Sequence, residues 1–282
     1  MRIHHLNAAT MCPAGGRLLV GNGNLLTGAH MVCHCLLVET DAGLVLVDTG
    51  LGLQDVATPG HLGAPFLAFA APRLLEEETA ARQVERLGFR REDVRHIVLT
   101  HLDLDHAGGL PDFPHARVHV HAPEHQAAMS PRTLNERERY RPLHWKHGPQ
   151  WRTYAAQGEP WFGFECVRQL EGLPPEILIV PLTGHTRGHS GIAVSRGGRW
   201  LLHCGDAYFF HGEMDPAQPH CPAGLKYFQA LVQAERQERL HNQHRLRELV
   251  RNHADDVDVF CAHDPLELAR AKERNSAAAR AA

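Results

Sequence analysis

The sequence has little lysine, little net charge and no apolar run of membrane length, and each shortage removes a class of function. Lysine occurs only at positions 146, 226 and 272, so nearly all of the 29 basic residues are arginine. We read that bias as a feature of the coding sequence and attach no ligand to it. Against 32 acidic residues they leave a formal net charge of -3, too weak a field of either sign to argue for nucleic acid or a membrane surface. No stretch approaches the roughly 20 apolar residues of a membrane helix. Met1-Arg2-Ile3-His4-His5 lacks the apolar core of a secretion signal. The cysteines, at 12, 33, 35, 166, 204, 221 and 261, are odd in number and without Cys-x-x-Cys spacing. That pattern fits reduced thiols, not a disulfide framework or a zinc knuckle. A soluble cytoplasmic protein, monomer or homodimer, acting on a small molecule is the expectation.

Histidine is plentiful, with 23 residues, and 282 residues at 43% hydrophobic content suffice for one large domain spanning 1–282. The densest chemistry is Thr100-His101-Leu102-Asp103-Leu104-Asp105-His106-Ala107-Gly108-Gly109. The preceding Ile97-Val98-Leu99 reads as a short buried strand. If the chain stays extended, His101, Asp103 and Asp105 share one face while Leu102 and Leu104 anchor the other. Imidazole and carboxylate together suit zinc, manganese or iron. A lone His or Asp at a strand end is usually a cap or turn residue, but four within six positions are hard to explain by packing.

Other strand ends repeat the theme. Strands are expected at Arg17–Val20, Met31–Glu39 and Leu44–Val47, the first two separated by Gly21-Asn22-Gly23-Asn24 and the last ending at Asp48, which either orients ligands or forms a turn. Cys33 and Cys35 read as core. Residues 55–72 read as a loop, and Glu76–Leu87 as a helix stopped by Gly88. His119 and His121 share a strand face that reads as solvated. Residues 130–165 read as an insertion holding three of the four tryptophans, either a pocket wall or dimer surface or a packing cluster. Thr183-Gly184-His185-Thr186-Arg187-Gly188-His189-Ser190 follows the strand Ile177–Val180, and one of its histidines is expected to bind metal while the other holds the loop. Asp206 follows Trp200–Cys204, and His263 follows Val257–Ala262. Helices are expected at Leu225–Val232 and Glu235–Asn252, with a terminal helix fraying over 268–282.

Four separated strands thus deliver His or Asp at their ends. This ordered set resembles the metallo-β-lactamase superfamily, with its His-x-His-x-Asp-His motif, then Gly-His, a lone Asp and a last His. The resemblance covers the chain up to residue 265. It implies an α+β fold, an αββα sandwich of two mixed sheets flanked by helices. It also implies two divalent metal ions, zinc foremost: one held by His101, Asp103 and His189, the other by Asp105, His106 and His263, with Asp206 bridging. In the lactonase-like branch the second His of the Gly-His pair is the ligand, hence His189 over His185. Asp103 stands where most relatives have His, which hardens the first site toward manganese or iron.

The implied activity is a hydrolase in which a metal-bridging hydroxide attacks an ester-type carbonyl, a lactone such as an acyl-homoserine lactone or a thioester. Asp105 would accept the proton and Tyr208 would donate to the carbonyl oxygen. The alternative is an iron-dependent oxidoreductase, dioxygenase-like, on the same fold. A binding module with a vestigial site would require more departures from the pattern than Asp103.

Overall fold

A computed structural model describes residues 1–21, 24, 27–155 and 158–281, without the side chains of 166–168 and 276–281. The expected Gly21–Asn24 turn therefore falls largely outside the described residues. Among the described residues twelve strands form two sheets of six. The first holds β1 (Arg2–Met11), β2 (Met31–Thr40), β3 (Gly43–Val47), β4 (Val94–Val98), β5 (Arg117–His121) and β6 (Gln150–Tyr154), side by side in that order. The second holds β7 (Glu159–Trp161), β8 (Phe164–Gln169), β9 (Ile177–Pro181), β10 (Ser190–Arg196), β11 (Arg199–His203) and β12 (Val257–Phe260), again side by side. Both sheets are mixed: β3 to β6 run parallel in the first, and only β11 and β12 pair in parallel in the second.

The layering follows from side-chain alternation along nearly continuous apolar strands. Leu36, Val38, Val45, Val47 and Val98 pack with Ile177, Ile179, Ile192 and Val194 of the other sheet. Their neighbours Leu37, Leu44, Leu46 and Ile97 face the opposite way, onto Ala80, Ala81 and Val84 of helix Ala80–Arg86 and Ala127 and Ala128 of helix Ala122–Met129. On the far side, Leu178, Val180 and Leu202 meet Leu246 and Leu249 of helix Arg236–Asn252. The result is the αββα sandwich, helices outside and two sheets face to face. Each fully buried Leu or Val contributes about 1.5–3 kcal/mol, so the sheets hold their register firmly enough to fix what hangs from their ends.

Several local expectations need correction. Gly16–Val20 is helical, bounded by Gly15 and Gly21 with φ of 95° and 77°, where a strand was expected at Arg17–Val20. Residues 55–72 are not a plain loop: they complete helix Leu53–Ala57 and include helix Ala64–Ala70. The stretch 130–165 does not stand apart from the sheets, because it supplies edge strands β6 and β7, and its Trp145, Trp151 and Trp161 pack on the apolar clusters. His119 and His121 are buried, not solvated; His119 bonds His96 at 2.8 Å and Tyr154 at 2.7 Å. The last helix runs Pro265–Ala281, through much of the expected tail. Among the described residues no helix is long and apolar enough to cross a membrane.

Candidate metal centre

Topology brings the strand ends together. β3 and β4 run parallel, so Asp48 and His101 emerge at the same edge of the first sheet. In the second sheet, β9 and β11 both run antiparallel to β10, and β12 is parallel to β11. The His185 loop, Asp206 and His263 therefore emerge together. Gly205 lets β11 end against this cluster: its φ is 51°, and a Cβ there would lie 2.6 Å from His189 Nε2. One detail differs from the extended reading of the first motif. Leu104–Ala107 is a helical turn, so Asp105 and His106 project from a helix, not from a continued strand.

Outer hydrogen bonds orient the rings. His106 Nδ1 donates to Asp48 Oδ2 at 2.8 Å, and Asp48 also accepts from the Thr100 amide at 2.8 Å and its hydroxyl at 2.7 Å. With its own proton on Asp48, the Thr100 oxygen accepts from His101 Nδ1 at 2.9 Å. His263 Nδ1 donates to Val32 O at 2.8 Å. These partners assign the tautomers and leave each Nε2 a lone pair. Of the two readings of Asp48, the orienting one is what the geometry supports, and Asp48 holds φ at 56° to do so.

The lone pairs converge on carboxylates. Asp206 Oδ1 lies 3.0 Å from His263 Nε2 and 3.3 Å from His106 Nε2; Oδ2 lies 3.4 Å from His185 Nε2 and 3.8 Å from His101 Nε2. Asp103 Oδ2 lies 3.1 Å from His185 Nε2 and 3.4 Å from His101 Nε2. Asp105 Oδ2 lies 3.6 Å from His263 Nε2. His101 Nε2, His106 Nε2 and Asp206 Oδ1 are buried without a hydrogen bond. Lone pairs facing carboxylate oxygens repel unless positive charge lies between them. Two His-His-Asp groups sharing Asp206, namely His101/His185/Asp206 and His106/His263/Asp206, each bring their donor atoms within 4.8 Å of one another. Each group could hold a divalent cation, with Asp206 common to both.

The protonation tendencies show the same demand for positive charge between these groups, a proton on Nε2 being the alternative to a cation. Burial alone would raise the Asp206 pKa, but His263, His106 and His185 hold it well below the usual carboxylate range. Burial likewise acts against ionised Asp103, and Arg139 and His101 overcome it. Burial disfavours charge on His106 and His263, yet the facing Asp206 pushes both well above an ordinary histidine. His185, by contrast, falls to about 4 through burial and the nearby Arg139.

Six of the expected side chains, His101, Asp103, Asp105, His106, Asp206 and His263, meet in this cluster. Two do not take the expected place. His189 donates from Nδ1 to Leu182 O at 2.9 Å and accepts the Asp206 amide on Nε2 at 2.9 Å. Both nitrogens are committed to the backbone, and His185 stands at the centre instead. Tyr208 is fully buried, and its hydroxyl bonds Glu267 at 3.0 Å, so it cannot reach a carbonyl in the pocket; Phe209 lines the pocket in its stead.

Three supporting residues escaped the sequence reading. Glu124 accepts from the Leu102 amide, Thr186 hydroxyl and Gly188 amide, tying the His101 and His185 loops together. Arg139 reaches Asp103, and Cys33, expected as core, places its sulfur within 4.8 Å of Asp105 and His263 donor atoms. Nothing in their local sequence signals these contacts, which are made across the fold.

Above the cluster is a cavity of about 190 Å³, walled by Met31, Phe66, Phe69, Phe209, Leu225 and Phe228 and floored by Asp103, Asp105, His185, Asp206 and His263. A family model described as the metallo-beta-lactamase superfamily matches residues 29–242. The chain belongs to the metallo-β-lactamase superfamily. It is 46% identical over 272 residues to a probable metallo-hydrolase of Mycobacterium tuberculosis, across 96% of this chain and 83% of that one. It is 27% identical over 161 residues to an N-acyl homoserine lactonase of Bacillus sp, covering 57% of each. A crystal structure of an N-acyl homoserine lactone hydrolase with N-hexanoyl-L-homoserine at its catalytic metal center shares the fold, with TM-score 0.69, 20% identity and 94% of both chains covered. Within the superfamily's sandwich, the His/Asp cluster and apolar chamber lie at one edge of the two sheets.

Proposed function

We propose that this superfamily member is a metal-dependent hydrolase of esters with an apolar acyl part, lactones or thioesters foremost. The observation that carries the reading is the set of unpartnered buried lone pairs around Asp206 beneath a chamber walled by Met, Leu and Phe. His101, Asp103, His185 and Asp206 would hold one divalent ion, and Asp105, His106, His263 and Asp206 the other. Such a pair supplies an activated water and an electrophile for the substrate carbonyl. Asp105, on the pocket floor, accepts the proton released as the product forms. Phe66, Phe69, Phe209 and Phe228 exclude water and hold the acyl chain, while Asn135, Glu138, Arg139 and Arg141 line the rest of the cavity. The named relatives, a metallo-hydrolase and homoserine lactonases, support the same class. The iron oxidoreductase alternative rested on Asp103, whose charge Arg139 faces; the relatives named above lend it no support.

The test is a panel of homoserine lactones of increasing acyl length, thioesters, chromogenic esters and β-lactams, assayed after reconstitution with zinc, manganese or iron. Turnover is expected to rise with acyl length among lactones or thioesters. An Asp206→Ala protein that has lost its metal yet hydrolyses the same substrates as fast as the parent would contradict the proposal.

A further inference from the structure

Arg139 ends helix Leu134–Arg139 with its charge beside the metal centre. Both it and Asp103 are over nine-tenths buried. Its Nη1 donates to His185 O and its Nη2 to Val232 O, each at 2.9 Å, with Nη2 also 3.4 Å from His185 Nε2. Those carbonyls belong to two different parts of the chain, so the guanidinium stays in place without help from Asp103. The helix itself is tied to the His185 loop by Glu136, which accepts from Arg187 Nε at 2.7 Å. Arg139 Nε lies 3.2 Å from Asp103 Oδ1, while the other oxygen, Oδ2, faces His101 and His185. Neither Nε nor Oδ1 makes a hydrogen bond, so the contact is electrostatic.

We propose that Arg139 is a positioning residue that divides the Asp103 carboxylate, turning Oδ1 to itself and Oδ2 to the first metal, and that the pair sets the charge of that site. The inference rests on the two-metal reading above. A fixed guanidinium close to a divalent ion repels it, and the carboxylate between them screens that repulsion. A histidine at 103 would offer the metal a competent nitrogen but no charge. The anchored guanidinium would then stand uncompensated beside the ion. Replacing Asp103 by a good zinc ligand should therefore weaken the first site, and removing Arg139 at the same time should restore it.

The experiment is a double-mutant cycle read by zinc competition against a chelator, with far-UV circular dichroism to confirm folding. We expect Asp103→His to weaken the first zinc by about tenfold or more with Arg139 present, and by much less in the Arg139→Met background. Asp103→His/Arg139→Lys, which keeps the charge, should bind as weakly as Asp103→His. An equal effect of Asp103→His in both backgrounds overturns the proposal. Should the Met variants fail to fold, Arg139→Gln takes the place of Arg139→Met in the cycle: a smaller effect of Asp103→His in that background upholds the proposal, and an equal effect overturns it. A parent that binds no metal overturns the two-metal reading and this inference together; two bound ions with no coupling overturn this inference alone.

Discussion

Asp55 lies between His61 and His144 much as Asp206 lies between His106 and His263, yet the two groups are spaced differently. Asp55 Oδ1 is 2.7 Å from His61 Nε2 and 2.8 Å from His144 Nε2, the span of a hydrogen bond. Its other oxygen accepts the Gly52 amide at 2.8 Å, and His61 Nδ1 bonds Thr58 O. Of this triad's atoms only His144 Nδ1 is buried without a partner. Around Asp206 the nitrogens of His263 and His106 stand 3.0 and 3.3 Å away, and those of His185 and His101 3.4 and 3.8 Å. Metal bonds of about 2.1 Å in a tetrahedral site put two ligand atoms about 3.4 Å apart. Although the Asp55 group also gathers its donor atoms within 4.8 Å, on the two-metal reading the same residue types make a fastening in one place, pinning helix Leu53–Ala57 to the 142–145 turn, and a cage in the other. Composition does not distinguish them; the unsatisfied lone pairs and their spacing do.

The largest effect expected from that difference is at Asp206. Its replacement by Ala should remove metal and lower kcat/KM by about a thousandfold, while leaving the Asp55 triad and the fold intact by circular dichroism. Next is Asp48→Asn, which loosens the hold on His106 and Thr100 without touching a ligand atom. Metal affinity should fall about 10- to 100-fold, measured by chelator competition; unchanged affinity would mean that the outer bonds do not set the cage. Asp55→Asn should do the reverse, leaving metal content unchanged while costing about 2–4 kcal/mol in urea unfolding. Loss of metal in that variant would erase the distinction.

The smallest effects concern Tyr208 and Glu267, a buried pair that, like the Asp55 triad, bonds to itself. Tyr208→Phe should change kcat/KM by less than about twofold and cost about 1 kcal/mol of stability. Glu267 is raised from 4.5 to about 8, by burial first and then by Asp264. A carboxyl whose pKa is raised on folding contributes stability that is full below its unfolded value. That contribution is lost as pH climbs through about 8. Thermal melts should therefore show a decline over this window that Glu267→Gln flattens.

Much of this arrangement was legible in the chain. The apolar runs predicted most strands, and the ligand types at their ends predicted which loops would meet. What stayed hidden depends on partners far along the sequence. His185 and His189 occupy equivalent places in one Gly-His-x-x-Gly-His loop, and only the amide of Asp206 decides that His189 is held away. Tyr208 and Phe209 are adjacent, and Glu267, 59 positions on, draws the hydroxyl inward. β1 was missed because His4, His5 and Asn7 interrupt its apolar pattern. In the folded chain they are paired, His4 with Glu39, His5 with His34 and Asn7 with Thr10. The aromatic stretch 130–165 proved to be two things at once, tryptophans that pack and a short helix that carries Arg139 to Asp103.

The most direct test of the distinction between cage and fastening is the metal content of three purified proteins, the parent, Asp206→Ala and Asp55→Asn, by elemental analysis after exposure to zinc and removal of loosely bound ions. Two ions per chain in the parent, fewer than one in Asp206→Ala and two in Asp55→Asn are the predicted values. Equal metal in the parent and Asp206→Ala, or its loss from Asp55→Asn alone, would contradict the account.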